Sequence, residues 1–294
     1  MLGSFSPFRR SFVMIRSALV LLFAMTIPAA CVPREPSASV PDVAFGADPI
    51  GSSAVDWASL LPTDPVAALA STLSRYRQDV RGFTATLVKQ ERLGTTLHPL
   101  ETITLAVRER PFAVSMIWQA GIRNQTAATL YVEGENAGAM RVWRPKALLA
   151  KTLTVNPTDA LPRGASRYAI TESSLGHGQE RTLRAWKKAQ DAGTLHVEYL
   201  GKKPVPELNG RECHVLVRKC QSPEFDPFLM GEQPKPKAAE SFSTVTIYLD
   251  NESGYQIGAD LTRADGQRVG AYFFRDLVLN PRLNEGQFSE SMWK

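Results

Sequence analysis

The stretch DPVAALASTLSRYRQDVRGFTATLVKQERLG, Asp64 to Gly94, changes its apolar period at Gly82, and that change decides the fold. Before the glycine, Val66, Leu69, Leu73, Tyr76 and Val80 recur at three- and four-residue steps, the stripe of an amphipathic helix. Asp64 is placed to cap that helix and Pro65 suits its first position. After the glycine, Phe83, Ala85 and Leu87 alternate with Thr84, Thr86 and Val88, which is the two-residue period of a strand. A helix therefore leads straight into a sheet.

Towards the C-terminus the strand period persists. Ile103, Leu105 and Val107 alternate with Thr102, Thr104 and Arg108, and Phe112, Val114, Met116 and Trp118 form another apolar face. Turn chemistry at Glu133–Gly138, Asn209-Gly210, Asn251–Gly254 and Asp265-Gly266 separates β-type runs. A second helical segment lies between Thr171 and Ala192, with Leu183 and Trp186 inward and Arg181, Arg184, Lys187 and Lys188 outward. Two helices against nine or ten antiparallel strands predict an α+β architecture, in which a sheet with one greasy face must close or be covered.

Towards the N-terminus the composition changes character. Residues 1–30 carry Arg9, Arg10 and Arg16, no acid, and an apolar run from Ala18 to Ala30, and they read as a signal peptide starting at Met1 or Met14. The run is shorter than the ~20 residues of a spanning helix. Pro28-Ala29-Ala30-Cys31 resembles a lipoprotein signal, which makes Cys31 the candidate lipidation site. A soluble periplasmic product and an uncleaved anchor stay open as alternatives. Val32 after the cysteine resembles signals sorted to the outer membrane. Residues 31–62, rich in Pro, Ser, Ala and Gly, read as a flexible tether, and residues 63–294 as one domain.

Without residues 1–30, 31 Lys and Arg face 29 Asp and Glu, so the net charge falls from +5 to +2. That gives no support to nucleic acid as a partner. Cys213 and Cys220 share one strand-like run, where seven residues span roughly 23 Å, beyond the ~7 Å reach of a disulfide. They are expected to be free. His98, His177, His196 and His214 show no metal-ligand spacing, and no cofactor is expected. Ser173, Ser174 and His177 lack a Gly-x-Ser-x-Gly frame, and Gly176-His177-Gly178 lacks the Lys-Ser/Thr of a phosphate loop. No catalytic motif is present. A hydrolase would need Glu91 or another carboxylate buried beside a second titratable group.

Several blocks together resemble a known family: DVRGFTATLVKQERLG (Asp79–Gly94), VRERPFAVSMIW, LYVEGENAG, RYAITESSLG, NGRECHV and IYLDNESGYQIGAD. In order and spacing they are similar to the bacterial extracytoplasmic family named domain of unknown function 1571, itself similar to the periplasmic lipoprotein-carrier (Lol-type) half-barrel. The resemblance implies a curved antiparallel half-barrel with an N-terminal helix and one inserted helix covering the concave face. It also implies lipid, lipoprotein or another apolar molecule as ligand.

On that reading Phe83, Phe112, Met116, Trp118, Tyr131, Trp143 and Phe273 are the candidate walls of an apolar cavity. Glu91, Arg92 and Arg108 are its candidate polar rim. The expected protein is a non-catalytic envelope lipoprotein that faces the periplasm from the outer membrane. The other reading is a structural or sensory envelope module that binds a protein partner through its sheet face or the loop Ser222–Lys237.

Overall fold

The computed structural model describes residues 56–122, 125–159, 162, 164–226 and 238–293. The expected signal peptide, Cys31 and most of the expected tether lie outside the described residues. Among these residues no helix is long and apolar enough to cross a membrane.

Among the described residues three α-helices are delimited: α1 (Trp57–Leu60), α2 (Pro65–Asp79) and α3 (Leu175–Asp191). The start and stop signals of α2 act as expected. The Asp64 carboxylate accepts from the Ala67 amide at 2.9 Å, and Val66, Leu69, Leu73 and Tyr76 are buried. The boundary expected at residue 63 comes too late, because Trp57 and Leu61 are core side chains. An aromatic and a leucine with apolar neighbours on hand bury themselves even in a Pro- and Ser-rich context. Ser174 caps α3 by accepting from the His177 amide at 3.0 Å, so this serine has a structural duty.

Twelve strands make one antiparallel sheet: β1 (Gly82–Leu93), β2 (Thr96–Leu97), β3 (Glu101–Glu109), β4 (Phe112–Ala120), β5 (Ala128–Val132), β6 (Met140–Trp143), β7 (Thr152–Val155), β8 (Val197–Val205), β9 (Arg211–Glu224), β10 (Phe242–Asp250), β11 (Gln256–Thr262) and β12 (Arg268–Leu279). The order is β7-β6-β5-β4-β3-β1-β12-β11-β10-β9-β8, with β2 added beside β1. The chain meanders outward from β1 to one edge. It then crosses through α3 to the far edge and returns until β12 pairs with β1. The sheet is open, as a half-barrel requires.

The helices lie on the concave face. Trp57, Leu69, Leu73, Leu183 and Trp186 pack over Leu216, Ile247 and Leu249 of β9 and β10. Gln179 bolts the layers together: its amide donates to Thr72 Oγ1 at 2.6 Å, and its oxygen accepts from the Gln256 amide at 3.1 Å. At the α2–α3 crossing, a Cβ on Gly176 would stand 2.6 Å from the Tyr76 ring, so only glycine permits this approach. On the convex face Phe288 and Trp293 cover Ala106, Ala113, Leu130 and Val132. Cys213 and Cys220 are both free thiols.

Candidate functional site

Strand alternation decides what faces the concavity. Leu87, Lys89 and Glu91 of β1 share one face, which continues through Glu101 and Ile103 of β3, Met116 and Trp118 of β4, and Tyr272 and Phe274 of β12. The helices fill the part of this face near β9 and β10. Between α3 and β1, β4, β6 and β12 they leave a cavity of about 800 Å³. Leu87, Met116, Trp118, Val142, Trp186, Leu261 and Phe274 supply much of its apolar wall.

The cavity opens to solvent, so it is filled either by water against apolar walls or by an apolar guest.

One end of the wall carries buried charge. Lys89 Nζ lies 3.0 Å from Glu91 Oε2 and 3.5 Å from Glu101 Oε2, and all three side chains are almost out of water. Glu91 Oε1 also accepts from the Tyr272 hydroxyl at 2.9 Å and, at 3.3 Å each, from the Ser166 hydroxyl and the Arg167 amide. Trp118 Nε1 donates to Glu101 at 2.8 Å. Burial works against the Glu91 carboxylate. The Lys89 ammonium, the hydrogen bonds from Lys89 and Tyr272, and nearby Arg167 outweigh it and hold the pKa below the ordinary value. Burial and the Glu91 charge push the Tyr272 phenol well up.

Glu91 does stand buried beside other titratable groups, the arrangement a hydrolase would need. However, the Lys89 ammonium, the Tyr272 hydroxyl and nearby Arg167 favour its ionised form, and a carboxylate held that way is a poor proton donor and a weak base. Other charges on the wall are matched in place: Arg181 with Glu172 at 3.0 Å and Arg218 with Glu224 at 2.6 Å.

The candidate residues divide. Met116 and Trp118 line the cavity. Phe83, Phe112 and Tyr131 face the concave side but pack at its closed end, with Phe112 against the His177 ring at 5.3 Å. Trp143 and Phe273 lie on the convex face. Trp143 stacks on Trp293 at 6.2 Å, and Phe273 pairs with Val88 and meets Tyr248. The consecutive Tyr272, Phe273 and Phe274 hide the strand's phase, and Tyr272 and Phe274, not Phe273, line the cavity.

The polar rim does not assemble. Glu91 is wall rather than rim. Arg92 points to the other face, donating to the Arg268 and Thr95 carbonyls. Arg108 pairs with Gly82 at the opposite end of β1 and bonds Glu285. An antiparallel register brings Lys89 to Glu101, so Glu91 and Arg108 cannot meet. Arg181, expected outward, instead lies over the Tyr168 ring at 4.3 Å and lines the cavity, as does Lys188.

Sequence reading missed Glu101, Ser166, Tyr272 and Arg218. For Glu101 and Tyr272 the signal was available: both are cross-strand partners of Lys89. Ser166 comes from a loop and had none. Among the described residues no cluster could hold a metal ion.

Fold and cavity together define an α+β half-barrel with a partly filled concave face. The chain belongs to the family described as Protein of unknown function (DUF1571), whose model matches residues 80–292. No curated protein matches it. Among solved structures it is similar to MucB in the MucA/MucB complex of Pseudomonas aeruginosa, at 13% identity and TM-score 0.42, covering 76% of this chain and 60% of that one. It is also similar to the lipoprotein LppX of Mycobacterium tuberculosis, at 12% identity and TM-score 0.42, covering 76% and 99%. A LolA superfamily protein of Nitrosomonas europaea matches at 8% identity and TM-score 0.33, covering 77% and 98%. This chain thus spans about three fifths of that MucB chain. At these scores the likenesses carry no functional inference.

Proposed function

We propose that this protein is a non-catalytic binding protein of the bacterial envelope that holds an apolar ligand, a lipid or the acyl part of a lipoprotein, in its half-barrel cavity. It is exported through residues 1–30 and anchored by lipid at Cys31, on the periplasmic side of the outer membrane, with the Pro-, Ser- and Ala-rich segment that follows as tether. The observation that carries the binding reading is the 800 Å³ cavity walled by Leu87, Met116, Trp118, Trp186 and Phe274. Its volume is that of a ligand site, commonly about 300–1,000 Å³.

The deep charges are neutralised by one another, which favours uncharged chain over an ionic headgroup in the interior. Binding then comes from area, at roughly 25 cal/mol per Å² of apolar surface removed from water. No cofactor takes part.

Mass spectrometry of lipids released from protein purified out of envelopes tests the reading. A bound apolar species in near-stoichiometric amount supports it, and an empty, water-filled cavity contradicts it. For the anchor, metabolic labelling with an alkyne-tagged fatty acid should mark the unaltered chain and not a Cys31→Ser variant. Equal labelling of both, or of neither, would refute the anchor assignment.

The partner-binding alternative rested in part on the loop Ser222–Lys237, of which 227–237 lie outside the described residues. Loss of a recurrent crosslinked partner on deleting that loop would favour it.

A further inference from the structure

The pairing registers place one end of every strand from β3 to β12 at the same end of the sheet as Leu93, the last residue of β1. Among the described residues there are eight exposed large apolar side chains, and six belong to this one end: Leu97, Leu100, Ile122, Leu148, Leu149 and Phe225. Leu148 and Leu149 are the extreme case, with relative exposures of 101% and 99%. They sit at the tip of the β6–β7 hairpin, whose base is tied by the Arg144 amide bonding the Lys151 carbonyl at 2.6 Å.

The hairpin tip is also basic. Arg144, Lys146 and Lys151 flank the two leucines, and no acid occurs between Glu135 and Asp159. Two adjacent leucines wholly in water serve no packing purpose, and an apolar tip ringed by cations is complementary to one surface in particular. That surface is apolar beneath and negative at its face, a bilayer with anionic headgroups. Residues from the same end, Gln125, Thr126, Arg144 and Phe225, also line the cavity.

We propose that this end of the half-barrel docks on an anionic lipid surface, with Leu148 and Leu149 entering the acyl region and Lys146 and Lys151 meeting the headgroups. The contact would set the cavity next to the bilayer. It stands whether or not the cavity takes a lipid, so its test is separate from that of the ligand.

The test uses the mature chain from residue 31 carrying Cys31→Ser and Cys220→Ser, which removes the signal segment, the acyl anchor and the partly exposed thiol. A polarity-sensitive fluorophore is placed at Ala150→Cys and, as a control, at the exposed Val278→Cys in the opposite end of β12. Vesicles of phosphatidylcholine alone are compared with equal parts phosphatidylcholine and phosphatidylglycerol.

The expected result is a blue shift, and quenching by spin-labelled acyl chains, at position 150 but not at 278, stronger on anionic vesicles. Leu148→Asp with Leu149→Asp should lower vesicle partition by about tenfold or more, the scale of losing buried leucine area. Lys146→Glu with Lys151→Glu should abolish the preference for anionic vesicles. A label at 150 that stays in water on both vesicle types overturns the proposal. Protection of that label only by added envelope protein also overturns it, and would make the tip a protein interface.

Discussion

Lys89 lies between two carboxylates with 8% of its side chain exposed, and its loss would leave Glu91 and Glu101 buried without a counter-charge. Lys89→Met is therefore expected to cost about 3–5 kcal/mol in urea unfolding. Arg108→Ala should cost under about 1 kcal/mol, because its partner Glu285 is largely in solvent. Equal losses for the two would show that the Lys89 cluster is not buried as described.

Glu91 and His214 give stability a direction with pH. The folded state holds the Glu91 carboxyl below its ordinary 4.5. Its contribution is complete above that value and lost as pH falls through the lower folded one. His214 is buried against Trp57 and bonded to Tyr199 at 2.6 Å, and burial with Lys202 nearby lowers its pKa from 6.5. The unfolded chain then binds the proton more readily, so stability begins to fall below about pH 6.5. His214→Gln should remove that first loss of thermal stability and leave the one below pH 4.5. An unchanged profile would refute the assignment.

At the scale of elements, the cavity exists because α2 and α3 cover only part of the concave face. Ala185 of α3 lines the open part, as does Met116 of β4. Met116→Trp together with Ala185→Phe should fill it, lowering ligand recovery about tenfold or more while thermal stability changes little, since the added area replaces water. A large loss of stability instead would mean that the space is already packed with protein.

Gly176→Ala is expected to be destabilising by about 1–3 kcal/mol, because its new methyl meets the Tyr76 ring at the helix crossing. These helices were legible in the sequence, because Asp64 and Pro65 start one and a clean three-four stripe follows. The β hairpins were legible for a similar reason: Asn209-Gly210 and Asp265-Gly266 demand tight turns. The inner or outer face of β12 was not, since Tyr272, Phe273 and Phe274 are all aromatic and either phase looks apolar.

For the whole molecule, the order of strands matters more than any local signal. Glu91 and Arg108 are both near charges in the sequence, yet antiparallel pairing puts them at opposite ends of β1. The same pairing assembles Lys89, Glu101 and Tyr272 from three adjacent strands, of which β12 is distant in sequence. Local periodicity reveals that each strand has an apolar face, but not which polar residues meet across neighbours or where coverage by helices stops. The cavity walls were consequently only partly legible: Met116 and Trp118 line it, while Phe83 and Trp143 belong to packed layers.

The direct measurement of the central claim is native mass spectrometry of the full chain purified from bacterial envelopes, beside the Met116→Trp, Ala185→Phe variant. The account predicts an added mass of an apolar ligand on the unaltered chain, released on unfolding and largely missing from the variant. A chain that carries no added mass and takes up no offered lipid would contradict it. So would a ligand held equally by both proteins, since it would not sit in this cavity.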